Sequence, residues 1–276
     1  MLPLKGWQLA IVLSLKVSVA ESSGYILTTD LFFVPSMRQS RQMHIYGVIR
    51  MPSCSLKKIL DYNPEDNHGA RWLLGPELLR TGAHEQARHI LQEHADEFSP
   101  YWYELGLLHF LNGELVKAAT AFRRGFAANT YIAEILCGNL HPFPLAVWHN
   151  FSGGPDTAED YYATYHPLWG QYPEALLFVN WLYNHSSVLH ERAEIIKCAE
   201  MLMQEDDFEI CESILRQQEK LRERIDETLS EKIVQKCRNM NGEYVWPSDI
   251  AVFSGRHETY WHTVSVDIAL VYPAHK

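Results

Sequence analysis

Two stretches of the chain carry the same order of apolar and small residues, 31 positions apart. The matching positions are Leu74, Gly75, Leu78, Gly82, Ala87 and Leu91 in one stretch, and Leu105, Gly106, His109, Gly113, Ala118 and Phe122 in the other. Leu74 and Leu78 are four residues apart, and residues at that spacing share one face of an α-helix. A fixed period of this length is typical of helical repeat proteins, so the pattern predicts two consecutive copies of one structural unit.

Each copy is predicted to be an antiparallel pair of helices joined by a short turn. Four glycines recur at two offsets, within the first helix at Gly75 and Gly106 and after it at Gly82 and Gly113. A glycine after the last helical leucine is typical of a left-handed helix end. A glycine inside a helix costs about 1 kcal/mol relative to alanine, so its presence indicates close approach of a second helix. We expect Ala87 and Ala118 to lie opposite the helix glycines.

The spacing resembles that of the tetratricopeptide repeat. The second copy matches the family pattern at Trp102, Leu105, Gly106, Ala118 and Phe122. His109 stands where the family usually has Tyr, Gly125 where it has Ala, and the first copy has Arg71 in place of Trp. A weaker third copy follows the same offsets at Ile195, Ala199, Leu202, Asp206, Cys211 and Leu215. The resemblance implies a mainly α protein, a TPR-like solenoid of α–α hairpins, and the residue pattern adds short β segments at the N- and C-termini.

The remaining pattern divides the chain into four parts. Residues 1–22 form a possible signal or leader segment, 23–60 a β-like segment, 61–240 the helical repeat domain and 241–276 a β-rich tail. Short strands are predicted at 25–34, 45–49, 244–246 and 264–272, the last from strict alternation of apolar residues. Further helices are predicted at 55–60, 131–137, 156–169, 173–183, 188–204, 207–217 and 219–237. Ser99 and Asp156 are predicted helix caps.

Composition narrows the classes of partner. The chain has 276 residues, of which 47% are hydrophobic and 21% charged, as expected of a folded protein. Its net charge of −10 disfavours non-specific nucleic-acid binding and a polybasic contact with anionic membranes. The apolar run near the N-terminus is too short to span a bilayer, so stable membrane insertion is not expected.

The five cysteines and the N-terminal run bear on the compartment. The cysteines have no zinc-like spacing and are interpreted as packing residues, which favours a reducing compartment and cytoplasmic localisation. The alternative for Cys198 and Cys211 is a disulfide, since both would fall on facing helices. Secretion is the other interpretation, because Ser18-Val19-Ala20 resembles a signal cleavage site.

No motif commits the chain to a reaction. His257 and His262 are five residues apart, whereas two zinc ligands on one helix face are four apart. We therefore predict no catalytic residue, no metal and no cofactor.

The resemblance also implies a concave surface lined by first-helix positions. In this chain these are Trp72, Pro76, Leu79, Tyr103, Leu107 and Phe110. They are apolar or aromatic, and they lack the Lys, Arg and Asn with which some family members bind the C-terminal carboxylate of chaperone peptides. One interpretation is an apolar groove for an amphipathic helix or extended peptide. The other is that a later segment, such as 131–183, covers the same surface as core.

The expected function is therefore non-enzymatic protein–protein contact, with the helical array as scaffold and a protein or peptide as partner. The alternative is an enzyme or regulated module whose activity resides in the C-terminal α+β tail, with the repeats as its support.

Overall fold

The computed structural model of the chain describes residues 51–66 and 69–249, and these residues are mainly helical. The helices are α1 Ser53–Tyr62, α2 Arg71–Arg80, α3 His84–His94, α4 Pro100–Leu111, α5 Leu115–Ala128, α6 Thr130–Leu136, α7 Pro155–Trp169, α8 Pro173–Tyr183, α9 Ser186–Gln204, α10 Phe208–Glu223 and α11 Glu227–Ile233. Two short strands follow, β1 Cys237–Arg238 and β2 Tyr244–Val245. The strands predicted at 25–34, 45–49 and 264–272 lie outside the described residues.

The two sequence copies form two helical hairpins with the same turn. Gly82 and Gly113 have φ of 75° and 74°, the left-handed conformation predicted for them. In the first turn, Gly82 N–H donates to the Leu79 carbonyl at 3.0 Å and Ala83 N–H to that of Leu78 at 2.9 Å. In the second, Gly113 and Glu114 donate equivalently to Phe110 and His109, both at 2.9 Å. This pair of hydrogen bonds is typical of a helix C-terminus that ends in a left-handed glycine. The two sequence copies therefore share the same backbone conformation at the turn.

The close contacts at the helix glycines involve large side chains. A Cβ on Gly75 would lie 2.7 Å from Leu91 Cδ2 and 2.9 Å from the Tyr101 ring. A Cβ on Gly106 would lie 2.6 Å from the Phe122 ring. The nearest atoms thus belong to residues one turn beyond Ala87 and Ala118, which corrects the expected alanine contact. The glycines make room for a leucine or an aromatic ring.

The third copy forms a hairpin with a different turn. Helices α9 and α10 contact each other, but α9 ends at Gln204 and the chain continues extended through Glu205. Asp207 then caps α10, accepting hydrogen bonds from the N–H groups of Glu209 and Ile210 at 2.9 and 3.1 Å. This copy has Asp206 where the others have glycine, and among the described residues only Asp66 is a non-glycine with positive φ. The side-chain cap therefore replaces the glycine turn.

Several predicted boundaries shift. The helices predicted at 207–217 and 219–237 are instead divided after Glu223, with Asp226 capping α11 through Thr228 N–H at 2.9 Å. The helix predicted at 55–60 is confirmed as α1 and extends from Ser53 to Tyr62. The residue preceding α7 is Gly154, and Asp156 lies inside the helix.

Ser99 precedes α4 as predicted, but its side chain has another role. Its hydroxyl donates to the Ser152 carbonyl at 2.6 Å, and its N–H donates to the Ser152 hydroxyl at 3.2 Å. Pro100 is the first helical residue, where its missing N–H costs nothing. Ser99 therefore ties the repeat region to the segment that follows α6, a contact between residues 53 positions apart.

Helix α5 lies at the centre of the described fold. It contacts α4, α6, α8, α9 and α11. The buried apolar core runs without a break from Leu56 on α1 to Val188 on α9. The apolar residues buried inside the α9–α10 hairpin, such as Ile195, Cys198 and Ile214, lie outside that core. The interior of this hairpin is therefore an apolar cluster separate from the main core.

Candidate functional site

The six residues predicted to line a groove lie inside the protein or at its edge. Pro76, Leu79, Tyr103 and Leu107 are buried, and Trp72 and Phe110 are partly buried. Tyr103 donates a hydrogen bond to the Asn129 carbonyl at 2.5 Å. The expectation of an open groove at these positions is therefore corrected: they are packing residues.

Later helices cover this surface. The Phe110 ring lies 5.4 Å from Phe178 on α8, and α7 contacts α2. Trp72 packs on Phe98, with ring centroids 4.9 Å apart. The second interpretation of the sequence, in which part of 131–183 fills the surface, agrees with these contacts. The covering residues are too far along the chain for a local pattern to show which surface they meet.

An exposed apolar surface is found instead where α9 meets α10. Four large apolar side chains within ten residues are exposed, namely Met201, Met203, Phe208 and Ile210. Phe208 is 81% exposed and Met203 57%. We call this set the hairpin tip. Large apolar side chains exposed to water are a feature of sites that bind other proteins, and methionine adapts to differently shaped partners.

The hairpin tip is strongly acidic. Residues 198–215 contain six carboxylates and no Lys or Arg. Glu212 pairs with Arg216 at 2.5 Å, and Asp207 caps α10. The remaining carboxylates belong to Glu200, Glu205, Asp206 and Glu209. The surface therefore combines apolar contact area with a negative field.

The sequence pattern indicates this hairpin only as the weak third copy and does not indicate its exposed surface. The available signal was the acidic run from Glu205 to Asp207, placed between Met203 and Phe208. Such a run at a turn shows that the turn is in water. It does not show whether the neighbouring apolar residues are covered.

A cluster of charged and polar side chains joins the first hairpin, α2 and α3, to the second, α4 and α5. His109 Nδ1 lies 2.6 Å from Glu114 Oε2, and Arg88 and Lys117 donate to the same carboxylate at 3.4 and 3.1 Å. The hydrogen bond from His109 and those from its neighbours lower the pKa of Glu114 to about 2. Burial lowers the pKa of His109. Every member has a partner within the cluster, so its role is to hold α3 against the turn between α4 and α5.

The described residues offer no metal centre and no disulfide. No group of three or more His, Cys, Asp or Glu residues there is placed to hold a metal ion. All five cysteines are free, as the packing interpretation expects, and burial raises the pKa of Cys137 and Cys198, which keeps both as thiols. His257 and His262 lie outside the described residues.

Among the described residues, no helix combines the length and apolar character needed to cross a membrane. Comparisons of the chain with protein-family models, with curated proteins and with solved structures found no match.

Proposed function

We propose that the chain is a TPR-like helical repeat protein that binds a protein partner through the hairpin tip. The observation that carries the proposal is the exposure of Met203 and Phe208 on a hairpin whose buried apolar residues lie outside the main core. The repeat assignment is supported by the two identical glycine turns and the two matched close contacts at Gly75 and Gly106. The body of the protein then serves as a rigid support for the tip.

The chemistry of the tip selects a class of partner. Apolar side chains surrounded by carboxylates complement a segment that carries apolar residues on one face and Lys or Arg on its flanks. An amphipathic basic helix has this pattern, and docking of such a helix on an apolar surface is a known mode of recognition. Attraction between the acidic tip and a basic partner speeds their association and disfavours acidic partners. The apolar contacts buried on binding supply the affinity.

The test is binding of a synthetic cationic amphipathic helix, composed of Leu and Lys at helical spacing, measured by fluorescence anisotropy. Met203→Ser combined with Phe208→Ser is expected to weaken binding at least tenfold, because both side chains would lose their buried contact with the peptide. The melting temperature should stay the same, since exposed side chains contribute little to stability. Tyr62→Ser is the matched control, because Tyr62 is equally exposed but lies on α1.

A second variant tests the charge. Asp206→Lys combined with Glu209→Lys should weaken binding and reduce its dependence on salt concentration, because the negative field at the tip is lost. Equal affinity of the native chain and the Met203/Phe208 variant would refute the tip as the binding surface. An effect of Tyr62→Ser as large as that of the tip variant would refute it as well, because the binding would then be non-specific.

A further inference from the structure

A cleft lies between the 145–153 segment and helices α9 and α10. Its floor is formed by the end of α5 and the start of α6. Its cavity volume is about 60 Å³. This is smaller than the roughly 300–1,000 Å³ of drug-sized ligand sites and suits a single small group such as an oxyanion. The wall contains Tyr131, Trp148, His149, Arg192 and Arg222, and the lining contains no Asp or Glu.

Within the part of the chain that the structure describes, the two arginines have no carboxylate partner. Arg192 is only 8% exposed, and its guanidinium lies over the Tyr183 ring at 3.4 Å. Its one hydrogen bond, to the Thr130 hydroxyl, is long at 3.4 Å. The buried Nε atoms of both Arg192 and Arg222 have no hydrogen-bond partner among the described residues. No carboxylate of those residues lies within 4.0 Å of either guanidinium.

Arg123 shows how the same chain treats a buried arginine that has only a structural role. Its guanidinium is fully buried and pairs with both oxygens of Glu191, at 2.5 and 2.9 Å. It also donates to the Asp226 carbonyl and the Ser230 hydroxyl. A buried cation without such partners is unfavourable. In a chain of net charge −10, two neighbouring arginines without carboxylates therefore stand out.

The nearest acidic groups do not neutralise the cleft. Glu134 accepts a hydrogen bond from the Tyr183 hydroxyl at 3.3 Å and is linked to Arg192 only through Tyr183 and Thr130. Glu219 attracts Arg222, but burial has the larger effect and lowers the pKa of Arg222. Burial also lowers the pKa of His149, so the positive charge of the cleft comes from the arginines.

The 145–153 side of the cleft is held in place by specific bonds. The backbone N–H of Trp148 donates to the Ala199 carbonyl on α9 at 3.0 Å. Leu145 N–H donates to the Tyr131 hydroxyl at 2.9 Å, and that hydroxyl is also 2.7 Å from His149 Nε2. The Tyr131 and His149 rings stack with centroids 5.5 Å apart. The cleft is therefore a built feature of the fold, with aromatic rings beside the arginines.

We propose that this cleft binds the oxyanion group, carboxylate or phosphate, of a small organic ligand. The guanidinium groups of Arg192 and Arg222 would pair with the oxygens, since the planar arrangement of N–H groups in arginine matches both anions. Trp148 and the Tyr131–His149 pair would contact the rest of the ligand. This site is separate from the hairpin tip and does not depend on its function.

The experiment is isothermal titration of the full chain with four anions at constant ionic strength, with chloride as background. Inorganic phosphate and phenyl phosphate test one anion, and acetate and benzoate the other. At least one should bind saturably, and the member with a ring should bind more tightly than its small counterpart. Arg192→Met combined with Arg222→Met should weaken that binding at least tenfold. Arg216→Met, an exposed arginine on α10, is the matched control and should leave it unchanged.

A thermal measurement keeps the proposal testable if the double variant does not fold. The anion that binds should raise the melting temperature of the native chain and of Arg216→Met, but not that of the single variant Arg222→Met. Absence of saturable binding by all four anions overturns the proposal. Binding that survives in the double variant, or an equal thermal shift in Arg222→Met, overturns it too. None of these outcomes depends on whether the hairpin tip binds a peptide.

Discussion

Glu104 lies on α4 with its side chain fully buried, and neither carboxylate oxygen has a hydrogen-bond partner among the described residues. Burial raises the pKa of Glu104 well above its usual value, and the nearby Tyr161 opposes this rise without offsetting it. The Tyr161 hydroxyl itself accepts the Trp169 indole N–H at 2.8 Å. Folding therefore favours the neutral, protonated form of the Glu104 carboxyl group.

The sign of the resulting pH dependence follows from the direction of that shift. Below the ordinary pKa of glutamate, Glu104 is neutral in both folded and unfolded chains. Above it the unfolded chain ionises and the folded chain resists, so the contribution of Glu104 to stability falls as pH rises, by at most about 1.4 kcal/mol per pH unit. Replacing Glu104 with Met removes this cost. The free energy of unfolding of Glu104→Met, relative to that of the native chain, should therefore be higher at pH 7 than at pH 5. Urea unfolding at both pH values measures the difference between variant and native chain.

Glu231→Gln provides the control, because Glu231 is exposed on α11. It removes a carboxylate without changing a buried site, and its effect on the free energy of unfolding should be the same at both pH values. A Glu104→Met variant whose stability follows pH in parallel with the native chain would contradict the assignment.

At the scale of the element, the hairpins depend on how tightly two helices approach. Gly106 on α4 lies against the Phe122 ring, and Gly125 on α5 lies against Tyr103, where a Cβ would be 3.0 Å from the nearest ring atom. Both glycines are inside helices, so both gain about 1 kcal/mol of helix propensity when replaced by alanine. They differ in the space around them, which makes them a matched pair.

We predict that Gly106→Ala destabilises the protein by about 1–3 kcal/mol, because the added methyl group would lie 2.6 Å from a fully buried aromatic ring. Gly125→Ala should change stability by less than about 1 kcal/mol, because the gain in propensity offsets the milder contact. Thermal and urea unfolding of both variants measure the contrast. Equal effects of the two substitutions would show that α4 and α5 are not closely packed at Gly106.

At the scale of the whole molecule, Arg123 connects the repeat hairpins to the C-terminal helices. It lies on α5 and reaches Glu191 on α9 and Ser230 on α11. Thr120 adds a hydrogen bond to the same Ser230 hydroxyl at 2.8 Å. Since α9 also begins the α9–α10 hairpin, this cluster ties the base of that hairpin to α5.

Glu191→Ala should destabilise the protein by about 3–5 kcal/mol, because it leaves the Arg123 guanidinium buried without a counter-ion. The double variant Arg123→Met with Glu191→Met should lose less, since it removes both charges. Urea unfolding of the single and double variants measures the coupling between the two residues. A double variant less stable than Glu191→Ala would show that the pair itself, and not the burial of one charge, dominates.

The features that sequence analysis predicted are those with local causes. The left-handed turns at Gly82 and Gly113 follow from residues within one helix end, and the helices at 156–169 and 173–183 follow from short-range periodicity. The contacts of Ser99 and Glu104 could not be predicted, because their surroundings include Ser152 and Tyr161, about 50 residues further along the chain. The candidate sites were missed for the same reason.

A mainly helical chain with a repeated hairpin, a net negative charge and no recognisable catalytic motif follows from the order of residues alone. Which apolar residues are covered depends on how distant segments pack. Tyr103 and Leu107 are buried and Phe110 lies against Phe178 on α8, whereas Met203 and Phe208 are exposed among the described residues. The physical reason is that helix formation depends on neighbours a few positions away, while burial depends on segments that meet only after the chain has folded.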